Sequence, residues 1–417
     1  MPHINLMGGQ MKVIGIESDG LGTNNQIRGV IISGAKTKPQ NVEAPVSRQL
    51  LLKAEDGKIL HPDNFETSEE FENAVQKSID AYIKNDKVGP DYVVLPFNHA
   101  SGATENKAVD AISLAVRKAF KKHNIDVKTM VMASNLYNYQ YVDLVHVGEH
   151  LLSKADEEKL LQDKSLNAKT VKTLGVPSNI NWSSIRNLAN QENVKGIIDG
   201  YRGKKNVLFS LGGMTDNGAI GFDISDAEKL FQAAKKMKAK GYNIIFTNSP
   251  RTPGDVTDYL YEKCKIFNMG FYNSKKIAQN EEETKNFRNY DGKYKKEFVE
   301  QAQNVGNIYP AILDVCEFVV NTHDSFSYTS DAAVLGIPSV VYTGNFIDKE
   351  KRPDCYKLFD LCCSKGYVID LKDALQQIEA KKEIKTKKMD DVSSQLVKAM
   401  NNSLAGNVRV VNKQYGA

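Results

Sequence analysis

A segment in the second half of the chain has the residue types of an anion site at the start of a helix. It follows the apolar stretch Glu317–Asn321, which is typical of a buried strand. Asp324, Ser325 and Ser327 are types that cap helix N-termini, where free N–H groups and the helix dipole attract phosphate. Asp331 follows about two helical turns later, where its carboxylate could accept ribose hydroxyls or remain a plain surface charge. We predict a phosphate site at this helix start.

Two other strand ends in the second half carry residues suited to the same ligand. Gly212 and Gly213 would expose backbone N–H groups, and Thr215 could bond a phosphate oxygen. No Gly-Lys-Ser or Gly-Lys-Thr sequence follows, so this is not a Walker loop. Arg251 could neutralise a diphosphate or pair with a surface carboxylate, and both interpretations stay open. An alternative for the glycines is a purely structural turn.

In the first half, the loop after the first predicted strand is rich in glycine and amide side chains. It lacks the GxGxxG fingerprint, so NAD binding is not implied. The alternative is an ordinary glycine turn into a helix. The residues predicted to line the acceptor side are Gly20, Gly22, Asn25 and Gln26.

Three residues of the first half are candidates for the catalytic base. Glu17 and Asp19 lie in the glycine-containing loop, and His99 follows the third predicted strand. A general base needs a carboxylate or an imidazole, which these side chains provide. A single histidine in a loop is more often structural, so the choice among the three stays open.

The composition limits the class of protein. A chain of 417 residues, 41% hydrophobic and 25% charged, is typical of a soluble protein with two or three domains. The net charge of +4 comes from interspersed residues, without the basic stripe of a nucleic-acid binder. No apolar run reaches the roughly 18 residues of a membrane span, and no secretory signal is visible. We expect a cytoplasmic protein, with peripheral membrane association or non-classical export as alternatives.

The five cysteines bear on redox state and on metals. Their number is odd, two of them are adjacent, and they lack CxxC spacing. This pattern favours reduced thiols over a disulfide framework, and it does not predict a zinc site. We expect neither a metal nor a cofactor.

Apolar strand-like runs alternate with amphipathic helices along the whole chain. The runs lack polar alternation, which is typical of parallel strands covered on both faces. The predicted strands are Met11–Glu17, Arg48–Lys53, Asp91–Phe97, Val127–Ala133, Val142–Val147, Asn206–Leu211, Tyr242–Thr247, Cys264–Met269, Glu317–Asn321 and Ser339–Thr343. The clearest helices are Glu105–His123 and Ser225–Lys240, the second with a capping box of Ser225 and Glu228. The pattern predicts two α/β halves with mostly parallel sheets.

The polar stretch Asn187–Lys205 marks the predicted boundary between the halves. We expect domains at residues 1–200 and 201–385, followed by a helical tail at 386–417. Asn273–Lys296, dense in charge, is interpreted as a surface insertion. The tail is predicted as a charged helix over Glu379–Met400, with a modest apolar stripe that includes Leu396.

Several segments, in this order, resemble the mitochondrial fission factor family that is named for the plant elongated-mitochondria mutant. Asp331 stands where that family usually has Glu. The segments that carry the resemblance are Asp19-Gly20, Gly22, Asn25-Gln26, Ser210–Gly213, Thr247–Pro253, Asn307–Tyr309 and Asp324–Ala332. The resemblance implies a glycosyltransferase-like GT-B protein: two Rossmann-like domains facing a cleft, with a nucleotide-sugar donor in the second and an acceptor in the first.

The function implied by the resemblance is metal-independent transfer of a sugar from a nucleotide donor to an unknown acceptor. Arg251 would balance the charge of the leaving group, and Glu17, Asp19 or His99 would act as base. Two alternatives remain. One is a non-enzymatic adaptor that keeps the fold and binds a protein partner, and the other is a nucleotide-sugar epimerase, which needs no acceptor.

Overall fold

A computed structural model describes residues 11–17, 21–35, 51–85, 89–95, 103–133, 136–215, 218–249, 251–273 and 307–406. The contacts between residues divide the chain into two compact units. Unit 1 comprises the described residues of Met1–Asn179 together with those of Asp391–Ala417, and unit 2 comprises those of Ile180–Asp390. The C-terminal segment therefore returns to the unit in which the chain begins.

Unit 1 is built on a six-stranded sheet. Its strands are β1 (Val13–Ile16), β2 (Leu51–Leu52), β3 (Tyr92–Leu95), β4 (Lys128–Ala133), β5 (Leu144–Gly148) and β6 (Thr170–Thr173). Their order is β2-β1-β3-β4-β5-β6, and every neighbouring pair is parallel. Strands β1, β3 and β5 are buried along their whole length, as expected for a sheet covered on both faces.

Helices cover both faces of this sheet. They are α1 (Leu21–Ala35), α2 (Ser68–Asn85), α3 (Ala103–Lys122), α4 (Lys154–Gln162), α5 (Lys164–Lys169) and, near the C-terminus, α14 (Val392–Leu404), with short 3₁₀ turns at Pro62–Asn64 and Glu149–Leu151. Helix α14 packs against α1, and its Leu396 and Met400 belong to the same buried cluster as Ile27 and Val30. The predicted apolar stripe of the tail is thus a core face of unit 1.

Unit 2 repeats the architecture. Its strands are β7 (Asn206–Ser210), β8 (Asn243–Thr247), β9 (Gly270–Tyr272), β10 (Cys316–Thr322), β11 (Ser339–Tyr342) and β12 (Ile369–Asp370). The sheet order is β12-β11-β10-β7-β8-β9, again with every neighbouring pair parallel. The two parallel α/β sheets confirm the predicted fold class.

Two buried clusters hold the helices of unit 2 against its sheet. The helices are α6 (Trp182–Ala189), α7 (Glu192–Asp199), α8 (Ile224–Ala239), α9 (Gly254–Ile266), α10 (Tyr309–Leu313), α11 (Phe326–Leu335), α12 (Pro353–Ser364) and α13 (Leu371–Glu379). One cluster joins α8, α9 and α13 through residues such as Leu230 and Leu260, and the other joins α6, α7, α10 and α11 through residues such as Ile185 and Ile312.

Some predicted element bounds differ from the structure. The strand expected at Cys264–Met269 lies at Gly270–Tyr272, because Cys264 belongs to the buried face of α9. The expected cap Ser225 lies inside α8, since Asp223 is the N-cap and its carboxylate accepts the Asp226 N–H at 3.1 Å. Strands β6 and β12 are short and half polar, so the apolar pattern did not predict them.

The chain between residues 187 and 205 is also more ordered than its polar composition predicted. It contains the end of α6 and all of α7, whose Val194 and Ile198 are buried at helical spacing. Both helices belong to unit 2, which begins at Ile180 rather than near residue 201. At the other end of the unit, α13 stops at Glu379 and α14 starts at Val392, so the helix expected over Glu379–Met400 is interrupted. Of the predicted insertion Asn273–Lys296, all but Asn273 lies outside the described residues.

Across the described part of the chain, no helix has both the length and the apolar character needed to cross a membrane.

Candidate functional site

The candidate site of unit 2 lies where the order of its sheet reverses. Strand β7 is flanked by β8 on one side and β10 on the other, so the chain leaves it in opposite directions. In open parallel sheets, ligands bind beyond the carboxyl ends of the strands at this kind of reversal. Gly212 follows β7, Arg251 follows β8 and Asp324 follows β10, and all three meet there.

The glycine pair after β7 packs tightly against the neighbouring loops. The Gly212 N–H donates to Thr322 Oγ1 at 2.7 Å, and the Gly213 N–H donates to Asp324 Oδ2 at 3.2 Å. A Cβ on Gly212 would lie 1.9 Å from Asp324 Oδ1, and one on Gly213 would lie 2.0 Å from the Arg251 carbonyl oxygen. Both positions therefore require glycine because of close approach.

Asp324 and Arg251 form the ion pair of the site. An Arg251 guanidinium nitrogen lies 2.9 Å from Asp324 Oδ2. The Asp324 side chain is 0% exposed, whereas that of Arg251 is 39% exposed. The other carboxylate oxygen, Oδ1, is buried without a hydrogen-bond partner among the described residues. A fixed carboxylate thus holds one side of a guanidinium whose remainder reaches solvent.

Ser249 and Thr252 connect the β8 loop to the glycine pair. The Thr252 hydroxyl donates to the Gly212 carbonyl oxygen at 2.5 Å and accepts the Ser249 N–H at 2.9 Å. The Ser249 hydroxyl also donates to that carbonyl oxygen, at 3.2 Å. Both residues are buried, so these bonds fix the loop that carries Arg251.

Helix α11 begins directly after Asp324. Ser325 is its N-cap and makes no side-chain capping bond, although serine is a residue type suited to one. Ser325 is half-buried, and Ser327, in the first turn, is exposed. The positive end of the helix dipole therefore points to the same end of the sheet as Arg251.

Asp331, further along α11, is buried rather than on the surface. It is 5% exposed, and the Tyr309 hydroxyl lies 3.5 Å from its Oδ2. The Tyr309 and Tyr328 rings lie beside each other with centroids 4.6 Å apart. Burial, together with the negative charge of Asp331, raises the pKa of Tyr309 well above its usual value.

Thr215 is engaged within its own loop. Its hydroxyl accepts the Ile220 N–H at 3.0 Å, and its backbone N–H donates to the Ile220 carbonyl oxygen at 3.0 Å. The turn brings Met214 beside Arg251, whose carbonyl oxygen accepts the Met214 N–H at 2.9 Å. Thr215 therefore shapes the loop after β7.

His323 belongs to the site and was not predicted from the sequence. Its Nδ1 lies 3.2 Å from the Tyr342 carbonyl oxygen, and its ring packs edge-on against Phe346 and Tyr356. A carbonyl only accepts, so Nδ1 carries the proton of the neutral ring. Burial lowers the pKa of His323, which keeps the ring neutral. Its position between the end of β10 and Asp324 was the available signal. Thr322 ends the same strand, and Ser249 and Thr252 follow β8 at the same edge of the sheet.

In unit 1 the corresponding reversal lies between β1 and β3. Glu17 follows β1, is half-buried, and donates its backbone N–H to the Leu52 carbonyl oxygen at 2.9 Å. Gly22, Asn25 and Gln26 lie in the first turns of α1 rather than in a loop, because α1 already begins at Leu21. Asp19, Gly20 and His99 lie outside the described residues.

A metal site requires a group of side chains that can bind the ion together. Within the described ranges, no group of three or more His, Cys, Asp or Glu residues is placed to hold a metal ion. The described cysteines are free thiols, and burial raises the pKa of Cys264 and Cys355 to about 12.

Two Rossmann-like units, each with a six-stranded parallel sheet, define an α/β protein of the GT-B type. No protein-family model matches the chain, and no curated protein matches its sequence. Among solved structures, the UDP-GlcNAc 2-epimerase of Methanocaldococcus jannaschii is 13% identical with a TM-score of 0.50, over 94% of this chain and 99% of its own.

Two other solved structures are similar at lower scores. MurG of Acinetobacter baumannii is 10% identical with a TM-score of 0.37, over 96% of this chain and 95% of its own. UGT71G1 of Medicago truncatula is 11% identical with a TM-score of 0.36, over 97% and 96%. At these identities the likeness shows the fold alone, and of these three structures the epimerase reaches a TM-score of 0.50.

Proposed function

We propose that the protein uses a nucleotide sugar and that unit 2 binds the diphosphate of this donor at the start of α11. The observation that carries the proposal is the meeting of Gly212, Arg251 and Asp324 where the second sheet reverses. The glycines let the loop after β7 approach closely, and Arg251 and the helix dipole supply positive charge. The epimerase among the fold neighbours is described as a UDP-GlcNAc enzyme, which is consistent with this ligand class.

The residues of the site take different parts in this proposal. Ser325 and Ser327 offer hydroxyl and N–H groups to phosphate oxygens at the start of α11, and the partly exposed Arg251 faces the diphosphate. Gly212, Gly213 and Thr215 shape the wall beside it. Asp324 is a positioning residue, because a buried carboxylate bound to Arg251 and Gly213 cannot itself hold a second anion.

Asp331 is proposed as the ribose contact. It is an acceptor-only group when ionised, and it shares its carboxylate with the Tyr309 hydroxyl. Ribose hydroxyls can donate to the carboxylate oxygens beside Tyr309. Removing its charge with Asp331→Asn is expected to weaken the binding of every nucleotide that has a ribose, whichever base the nucleotide carries.

The reaction that we favour is metal-independent transfer of the sugar to an acceptor. Arg251 and the dipole of α11 would stabilise the charge that develops on the leaving diphosphate. Glu17, Asp19 or His99 of unit 1 would remove the proton of the acceptor. The similarity to the epimerase suggests the second candidate, nucleotide-sugar 2-epimerisation, which would use the same donor site without an acceptor.

The test is thermal unfolding with UDP, dTDP, GDP and ADP, each beside its glucose conjugate, for wild type and Ser325→Asp. A ligand at one hundred times its dissociation constant stabilises the folded state by roughly 2.7 kcal/mol. Asp is a good N-cap, so the variant keeps the helix but places an anion where phosphate would bind. We expect at least one conjugate to raise the melting temperature of wild type and not of the variant.

The matched control is Asn181→Asp, which adds the same charge at the N-cap of α6 in the same unit. It is expected to respond to ligand as wild type does. If the folded wild type responds to none of the nucleotides, the donor proposal fails. The adaptor that the fission-factor resemblance implies, with a protein partner, would then be the better hypothesis. Product analysis with and without candidate acceptors separates transfer from epimerisation.

A further inference from the structure

Among the described residues, two arginines lie near the start of α11, and each is paired with a carboxylate. Arg251 is bound to Asp324 at 2.9 Å. Arg352, whose guanidinium lies 5.7 Å from the Phe326 ring centroid in the first turn of α11, is bound to Asp354 at 2.9 and 2.7 Å. These four side chains have no net formal charge. Within the described part of the chain, the start of α11 thus offers directed N–H groups beside two arginines whose charges are already paired.

We propose that Asp324 makes this site select phosphate groups that carry a single negative charge, so that a sugar-linked diphosphate is held and a free nucleoside diphosphate is repelled. This inference rests on the proposed function. In a nucleotide sugar both phosphates are esterified and carry one charge each. After the sugar leaves, the terminal phosphate has a second ionisation near pH 6, so the product carries one more negative charge at neutral pH.

The position of Asp324 makes its charge effective. Its side chain is fully buried and directly precedes the helix N-cap, so any phosphate on Ser325 or Arg251 lies within several ångströms of the carboxylate. Buried charges are screened much less than exposed ones. At roughly 7 Å and an effective dielectric constant of about 20, one additional ligand charge changes affinity by about tenfold after partial screening. The carboxylate would therefore speed the release of the diphosphate product, and it would weaken the binding of the donor less.

The experiment measures dissociation constants calorimetrically at pH 7.5 for UDP, dTDP, GDP and ADP and for the glucose conjugate of each. The quantity of interest is the ratio of the dissociation constant of the free diphosphate to that of its conjugate, for each pair that binds. Asp324→Asn removes the negative charge, and we expect the ratio to fall by about tenfold. Arg251→Gln leaves Asp324 without its cation, and we expect the ratio to rise.

The control is Asp314→Asn, which removes a carboxylate paired with Arg202 at 3.1 Å, beyond the opposite ends of β7 and β10. It is expected to change the ratio by less than about twofold. A ratio unchanged in folded Asp324→Asn overturns the inference while leaving the donor site intact. If that variant does not fold, an unchanged ratio in Arg251→Gln overturns it instead. Absence of binding by wild type to every compound refutes the donor site and the inference together.

Discussion

Units 1 and 2 both place their first strand inside the sheet, so that the chain runs outward from β1 and from β7 in two directions. Near the carboxyl ends of the strands, however, they bury ionisable groups differently. Unit 2 buries the Asp324 carboxylate and compensates it with Arg251. Unit 1 buries two imidazoles at β5: His146 lies within the strand and is 5% exposed, and His150 follows the strand and is 3% exposed. Both units thus bury neutral imidazoles, since His323 of unit 2 is also buried, but at these strand ends unit 2 additionally fixes a compensated charge.

This difference indicates how the two units use the same topology. A compensated buried carboxylate needs close partners, and in unit 2 these are the Gly213 N–H and Arg251, from two other loops. Neutral imidazoles need only a hydrogen bond, which Thr173 provides to His146 Nε2 at 2.8 Å. We expect unit 2 to respond to changes in steric fit at its strand ends, and we expect the buried His146 of unit 1 to make stability depend on pH.

The largest expected effect concerns which helices belong to unit 1. Leu396 of α14 is fully buried in the same cluster as Ile27 and Val30. Leu396→Ala is expected to destabilise the protein by about 4 kcal/mol through lost burial and the cavity it leaves. Hydrogen exchange followed by mass spectrometry should show faster exchange in β1 and α1 and unchanged exchange in β7. Faster exchange confined to unit 2 would refute the division of the chain.

The next effect tests the tight fit of the unit 2 strand ends. Gly212→Ala would place a methyl group 1.9 Å from Asp324 Oδ1, so the loop must move, at a cost of about 3 kcal/mol. Gly221→Ala, in the same loop, has open space around its Cβ position and is the control. Urea unfolding of both variants measures the difference. Equal stability of the two would contradict the close approach described for Gly212.

The smallest effect is the response of unit 1 to acid. Burial, with the nearby His150, lowers the pKa of His146 from 6.5 to about 3. The unfolded chain takes up a proton below about pH 6.5, whereas the folded chain does not until about pH 3. The contribution of neutral His146 to the free energy of unfolding is therefore fully present above pH 6.5. It decreases as the pH is lowered, by about 2 kcal/mol at pH 5.

Replacing His146 should remove this part of the pH dependence. His146→Gln is expected to show a smaller loss of melting temperature between pH 7.5 and pH 5 than wild type shows. His61→Gln, which removes an imidazole from a partly exposed position of the same unit, is the variant for comparison. A slope in His146→Gln equal to that of wild type would show that the buried imidazole does not titrate as described.

The fold followed from patterns that are local in the sequence. Uniformly apolar strands such as Tyr92–Leu95 and amphipathic helices such as α3 predicted two parallel α/β sheets. Errors arose where tertiary packing decides, as at Cys264, which continues α9 into the core rather than starting a strand. The polar composition of residues 187–205 did not indicate that Val194 and Ile198 are buried. Their burial depends on packing of α7 against α10, which lies far away in the sequence.

The candidate site was predictable in its residue types but not in its connections. Glycines, an arginine and cap residues after strands indicated Gly212, Arg251 and Ser325 from type and position alone. The bond from Thr252 to the Gly212 carbonyl spans 40 residues, and that from Gly213 to Asp324 spans 111. No local pattern specifies such pairs. This is why Asp324 was predicted as a phosphate ligand, whereas its burial against Arg251 supports a positioning role.

Hydrogen exchange of wild type, with and without the glucose conjugate that stabilises it most, tests whether a nucleotide sugar binds unit 2 at the start of α11. If it does, exchange slows in peptides covering residues 211–215 and 322–330 and changes little in β5 and β6 of unit 1. Ligand protection confined to unit 1, with residues 322–330 exchanging as in the free protein, would rule out binding at this helix start.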